Sequence, residues 1–143
     1  MNKLINKIIK VLKKENINLT DDSNLDEKAK RWNKFIGEIC SKELNELSEI
    51  QKNAVLCFWY DTEMGSGGHS GYFECYPDIR YEELVNAINV IGTKEIADNF
   101  LDALENGEED GYNKTDMKYY DFSPDLNFYL EEYVENNKDA IFK

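Results

Sequence analysis

Proline, histidine and cysteine are scarce in this chain: 143 residues hold two prolines, one histidine and three cysteines. Pro77 and Pro124 are isolated, and no Pro/Ser-rich stretch separates one part of the chain from another. One domain over residues 1–143 is therefore expected rather than two joined by a linker. Cys40, Cys57 and Cys75 stand 17 and 18 positions apart, an odd number without the close pairing of a disulfide framework or a metal site. They read as buried, reduced thiols of a cytoplasmic protein. No run approaches the roughly 20 apolar residues that span a bilayer. Lys7, Lys10, Lys13 and Lys14 interrupt any apolar core of a signal peptide. An integral membrane protein is not expected, and a secreted one is disfavoured.

What the chain does have is charge and aromatic area. It is 41% hydrophobic and 13% aromatic, with a formal net charge of −12. At this mass about two-thirds of the surface can be buried on folding, and the aromatic content argues against disorder. The charge is uneven. Residues 1–60 carry 11 basic and 9 acidic side chains, whereas residues 61–143 carry 6 and 20, a net of −14. A single domain with a polarised surface follows.

The hydrophobic period is helical nearly throughout, so the fold class is all-α: a compact multi-helix domain with short connections. Leu4, Ile5, Ile8, Ile9 and Leu12 make one face of a basic amphipathic helix over 1–15, with lysines across the other. Leu25, Ala29, Trp32, Ile36 and Ile39 mark a second stripe. Ser48 and Gln51 form a capping box that opens a third helix, apolar on both sides and hence central. A Gly-rich corner follows at Gly65–Gly71. Leu84, Val85, Ile88 and Ile91 make a fourth face ended by Gly92, and Thr93 caps the next helix. Ser123-Pro124 reads as an N-cap and N1 pair opening the last helix.

Several motifs invite chemistry. The Gly-rich corner resembles a phosphate cradle, but it lacks the Lys-Ser/Thr of a P-loop and any preceding strand. It reads better as a corner where helices approach closely. His69 beside Ser66 and Ser70 has no identifiable orienting group, so no catalytic residue is assigned. Residues 106–117 place oxygen donors and Gly111 as an EF-hand loop does, but Met117 stands where the bidentate Glu belongs. No metal or other cofactor is expected. Between Glu105 and Glu135 the acidic side chains Glu105, Glu108, Glu109, Asp110, Asp116, Asp121, Asp125, Glu131, Glu132 and Glu135 interleave with seven aromatics. Such density could occupy a basic groove that binds duplex phosphates, with aromatics adding contact area. It could equally serve solubility. The lysine-rich first helix resembles a membrane-surface helix, but it has no Trp or Phe anchor and the molecule is acidic. Membrane binding is not expected.

The stretch from Ala54 to Phe73, and a later one from Ala87 to Ala97, resemble the signature of a bacterial domain-of-unknown-function family that contains a DNA-mimic protein. The family pattern is a helix ending in Glu, then Asn-Gly-Gly-Phe-x-Gln-Tyr-Phe, and later a helix ending Ile-Gly. Glu63, Gly67, Gly68, Tyr72, Phe73, Ile91, Gly92 and Ala97 match, while Ser66, His69 and Gly71 depart from it. The resemblance is clear over 45–105, with an acidic, Tyr-rich part at 106–143 beyond it. It implies an all-α fold in which Glu63, Gly67, Gly68, His69, Tyr72, Phe73 and Gly92 are architectural. For at least one member it also implies a dimer whose acidic surface mimics DNA and sequesters a helix-turn-helix transcription factor.

The expectation is a non-enzymatic acidic protein that offers the ten carboxylates above to a basic partner, without binding nucleic acid itself. Homodimerisation is consistent with the resemblance. An immunity-type inhibitor of a basic nuclease toxin shares the same charge logic. A small-ligand or enzymatic site at the Gly67–Tyr72 corner is the alternative of another class.

Overall fold

The computed structural model describes residues 26–143, and every regular element among them is helical. The predicted basic helix over 1–15, the following turn and Leu25 lie outside the described residues. The first described helix, α1 (Glu27–Lys34), is capped by Asp26, whose Oδ1 accepts from the Ala29 N–H at 2.7 Å. It widens into a π-helical turn over Phe35–Ile39, closed by the Cys40 N–H on the Phe35 carbonyl at 3.0 Å. The extra residue in that turn lets Phe35, Ile36, Ile39 and Cys40 all face inward.

After a short 3-10 turn, Leu44–Glu46, comes α2 (Glu49–Met64), the central helix. Both halves of the predicted capping box are present: Gln51 N–H reaches Ser48 Oγ at 3.2 Å, and Ser48 N–H reaches Gln51 Oε1 at 3.0 Å. From Asn53 to Met64 only Asp61 escapes burial, as expected of a helix apolar on both sides. Around it pack α3 (Gly68–Cys75), α4 (Tyr81–Ile91), α7 (Leu126–Asn136) and the single turn α8 (Lys138–Ile141). Burying each of Leu56, Ile88, Phe100 and Leu130 contributes about 1.5–3 kcal/mol.

Gly92 ends α4 as expected, its N–H on the Ile88 carbonyl at 2.7 Å, and Thr93 caps α5 (Lys94–Asn106) through the Ile96 N–H. A 3-10 turn over Gly107–Asp110 then leads into α6 (Asn113–Asp121). Two local readings change. The Gly-rich corner is shorter than its glycines suggest: the turn ends at Gly67, and Gly68 already begins α3. The last helix starts two residues later than Ser123-Pro124 implies. Its N-cap is Asp125, which accepts from the Phe128 N–H at 2.9 Å. That start lets Leu126, Leu130 and Val134 face the core at successive turns.

Candidate functional site

Two glycine-dependent seats organise the corner between α2 and α3. Gly68 has φ +64°, and a Cβ there would lie 2.4 Å from Asp116 Oδ2. A Cβ on Gly67 or Gly71 would stand 2.8 or 2.6 Å from Glu63 Oε1. The glycines therefore admit two carboxylates against the backbone, and Glu63 is only 2% exposed.

Asp116 reaches its seat from α6, 47 positions away in sequence. Its Oδ1 accepts from the His69 N–H at 3.0 Å and from His69 Nδ1 at 2.7 Å. On the other side His69 Nε2 lies 2.6 Å from the Tyr60 hydroxyl. With Nδ1–H given to the carboxylate, Nε2 accepts the Tyr60 proton, so one neutral tautomer satisfies the whole chain of bonds. His69 is 0% exposed among Phe73, Phe100, Tyr112 and Tyr119. Burial pushes the imidazole below its ordinary value, against the opposing pull of Asp116. Burial likewise pushes the Tyr60 hydroxyl well up. The arrangement has the composition of an acid–base relay, but neither ring nitrogen is left over for a substrate. It ties α2, α3 and α6 together.

Other polar bonds pin α6 to the same core. The Tyr119 hydroxyl donates to Asp61 at 2.5 Å, Tyr120 to the Met64 carbonyl at 2.7 Å, and Asn99 Nδ2 to the Thr115 carbonyl at 3.0 Å. Tyr72 and Phe73, the aromatic pair of the motif, pack against Tyr60, Tyr76 and Phe100.

The ten acidic residues singled out in the sequence do not form one set. Asp116 turns inward to His69. Asp125 caps α7, and Asp110 accepts from the Lys114 N–H at 2.9 Å at the start of α6. Glu131 accepts from Asn127 at 3.0 Å. Glu132 lies 3.2 Å from Lys28 Nζ. Glu135 is gripped by the Arg31 fork, with Nε on Oε2 at 2.9 Å and Nη2 on Oε1, and has Lys138 Nζ at 3.8 Å. That fork holds the Glu135 carboxyl below the usual carboxylate range. The remaining Glu105, Glu108, Glu109 and Asp121 are exposed, and none is paired with a cation among the described residues.

Three of these four, Glu105, Glu108 and Glu109, gather at the end of α5 and in the 3-10 turn. Glu109 also lines, with Asp102, Asn106, Asp110 and Lys114, an open groove of about 180 Å³ between α5 and α6. Asp102 was not among the sequence candidates. Its carboxyl is lowered by the Asn106 side chain, bonded at 2.8 Å, and then by Lys114 at 3.7 Å. Of the EF-hand-like donors in 106–117, Asp110 accepts from the Lys114 N–H at the start of α6, Asn106 bonds Asp102, and Glu108 stays exposed. No three His, Cys, Asp or Glu side chains gather into a metal-sized cluster among the described residues.

Residues 45–141 match the family model described as DMP19-like protein. The chain belongs to the DMP19-like family. No curated protein and no solved structure matches it. The match covers all of the central helices and extends through α7, so the acidic corner and the glycine seats both lie inside the family domain. His69, with Asp116 and Tyr60 arranged to receive it, lies within the matched residues. No described helix is long and apolar enough to cross a membrane.

Proposed function

We propose that this DMP19-like protein is a non-enzymatic acidic binding protein that captures a basic DNA-binding protein by presenting carboxylates in place of duplex phosphates. The observation that carries this reading is the acidic corner: Glu105, Glu108 and Glu109 stay exposed without a described cation, while the chain neutralises Glu132 and Glu135 itself. Leaving like charges together costs stability through repulsion, which a cationic partner would relieve on binding. A groove that binds DNA reads mainly the phosphate field, so an array of carboxylates on a rigid helical corner presents it with a comparable target. Membership of a family that contains a DNA mimic supports the same reading and makes a helix-turn-helix transcription factor the favoured partner. A catalytic reading of the Gly67–Tyr72 corner is disfavoured by the complete burial of His69 and the engagement of both its nitrogens.

Tagged full-length protein should retain a basic DNA-binding protein from nuclease-treated host lysate and release it as salt rises. Retention of a nuclease toxin instead would make the chain an immunity protein. A clean result at low salt would overturn the capture reading.

A further inference from the structure

The outward side of α6 exposes two apolar side chains, Met117 at 58% and Tyr120 at 54%. Three residues apart, they share one helix face. Solubility favours polar side chains at such positions. Tyr120 is held in place: its hydroxyl donates to the Met64 carbonyl and its ring packs edge-on against Tyr119 at 6.1 Å. Half of an aromatic ring is thus offered to solvent in one orientation, so covering it loses little conformational entropy. Met117 beside it is soft and adaptable.

Carboxylates stand at both ends of this pair. Glu108 and Glu109 lie in the turn before α6, and Asp121 is its last residue. Of the two lysines of α6, Lys114 lies 3.7 Å from Asp102 of α5. Acidic residues of the preceding turn and of the last position of α6 therefore bracket the apolar pair in sequence.

We propose that the outward face of α6 is the apolar centre of the partner interface, and that its occupant is a basic amphipathic helix. Such a helix sets aliphatic side chains on Met117 and Tyr120 and places arginine or lysine against Glu108, Glu109 and Asp121. This rests on the acidic-capture reading and adds a contact that a duplex backbone does not offer. Charge complementarity selects the occupant. The same acidic strip on a second copy, or an anionic lipid surface, would meet it with like charge.

The test titrates the full chain with two synthetic peptides of equal length and arginine content. One has serines between the arginines, and the other has leucines at helical spacing. Both should bind at low salt. At about 0.5 M salt, where surface ion pairs are heavily screened, only the leucine peptide should remain bound. Met117→Ser with Tyr120→Ser should weaken the leucine peptide by about tenfold and leave the serine peptide within about twofold. Because Tyr120→Ser also removes the bond to Met64, Met117→Ser alone is the control for folding, and it should act in the same direction by about threefold. Equal salt sensitivity of the two peptides, or a double variant that binds like the parent, would overturn the proposal. So would self-association of the parent that the double variant abolishes, which would give the face to a second copy. Failure of both peptides at low salt would instead remove the capture reading beneath it.

Discussion

The acidic residues of α7 and those of the turn between α5 and α6 look alike in sequence but differ in what meets them. Glu132 and Glu135 face α1, where Lys28 and Arg31, 104 positions away, neutralise them. Glu105, Glu108 and Glu109 meet no described cation. Charge density along a chain therefore does not measure the field a partner feels. That depends on which basic side chains tertiary packing brings alongside. Here it singles out one corner of the molecule, and the polar bonds of α6 to α2, α3 and α5 hold that corner rigid.

The largest effect should come from the acidic residue that turns inward to bond His69. Asp116→Ala removes the acceptor of two His69 bonds and leaves a buried donor unsatisfied, so unfolding free energy should fall by about 3 kcal/mol. Denaturant midpoints would check this, and a change below half of that would mean that α6 is not anchored through His69. Next, reversing Glu105, Glu108 and Glu109 to Lys should weaken capture of the basic partner about 10- to 100-fold and flatten its salt dependence. Reversing Glu132 instead should do much less, because its charge is already compensated. Asp110 is left out of the reversal because it caps α6.

A pH titration of stability separates the buried hub from the surface. His69 has a lowered pKa in the folded chain, so below the ordinary histidine value of 6.5 the unfolded chain takes up a proton that the native chain resists. Stability should be complete above that value and decline as pH falls through the folded pKa, by at most about 1.4 kcal/mol per pH unit. His69→Gln should flatten the slope between neutral and mildly acidic pH, as read by thermal midpoints. Glu135 and Asp102, both lowered, add their own loss only at more acidic pH. The smallest effect is expected for Arg31→Ala: a slight loss of stability, read by thermal midpoints, with a modest gain in affinity for the basic partner as Glu135 is uncovered.

Helix identity was legible where it depends on neighbours in sequence. The capping box at Ser48, the cap at Thr93 and the stop at Gly92 are all local chemistry, and all are present. The all-α class followed from the same periodicity. The start of α7 was misplaced because Ser123-Pro124 is a good local signal that the Leu126–Leu130–Val134 register overrides from the core. α3 was hidden because Gly68, Ser70 and Gly71 mask its helical pattern, and Gly68 and Gly71 are there to admit Asp116 and Glu63, not for a turn. α6 was hidden because its oxygen-rich residues imitate a calcium loop. The partner of His69 could not be read at all, since nothing local links it to a carboxylate 47 positions on. The only available hint was that buried tyrosines and histidines need hydrogen-bond partners. The same limit applied to the acidic residues: their number was visible, but their pairing was not.

The most direct measurement is displacement of the captured DNA-binding protein from duplex DNA, comparing the parent chain with the variant carrying Lys at 105, 108 and 109. The account predicts that the parent displaces the duplex as its concentration rises, and that the variant needs at least about tenfold more. A variant as effective as the parent, or a parent that binds the protein without displacing DNA, would contradict it.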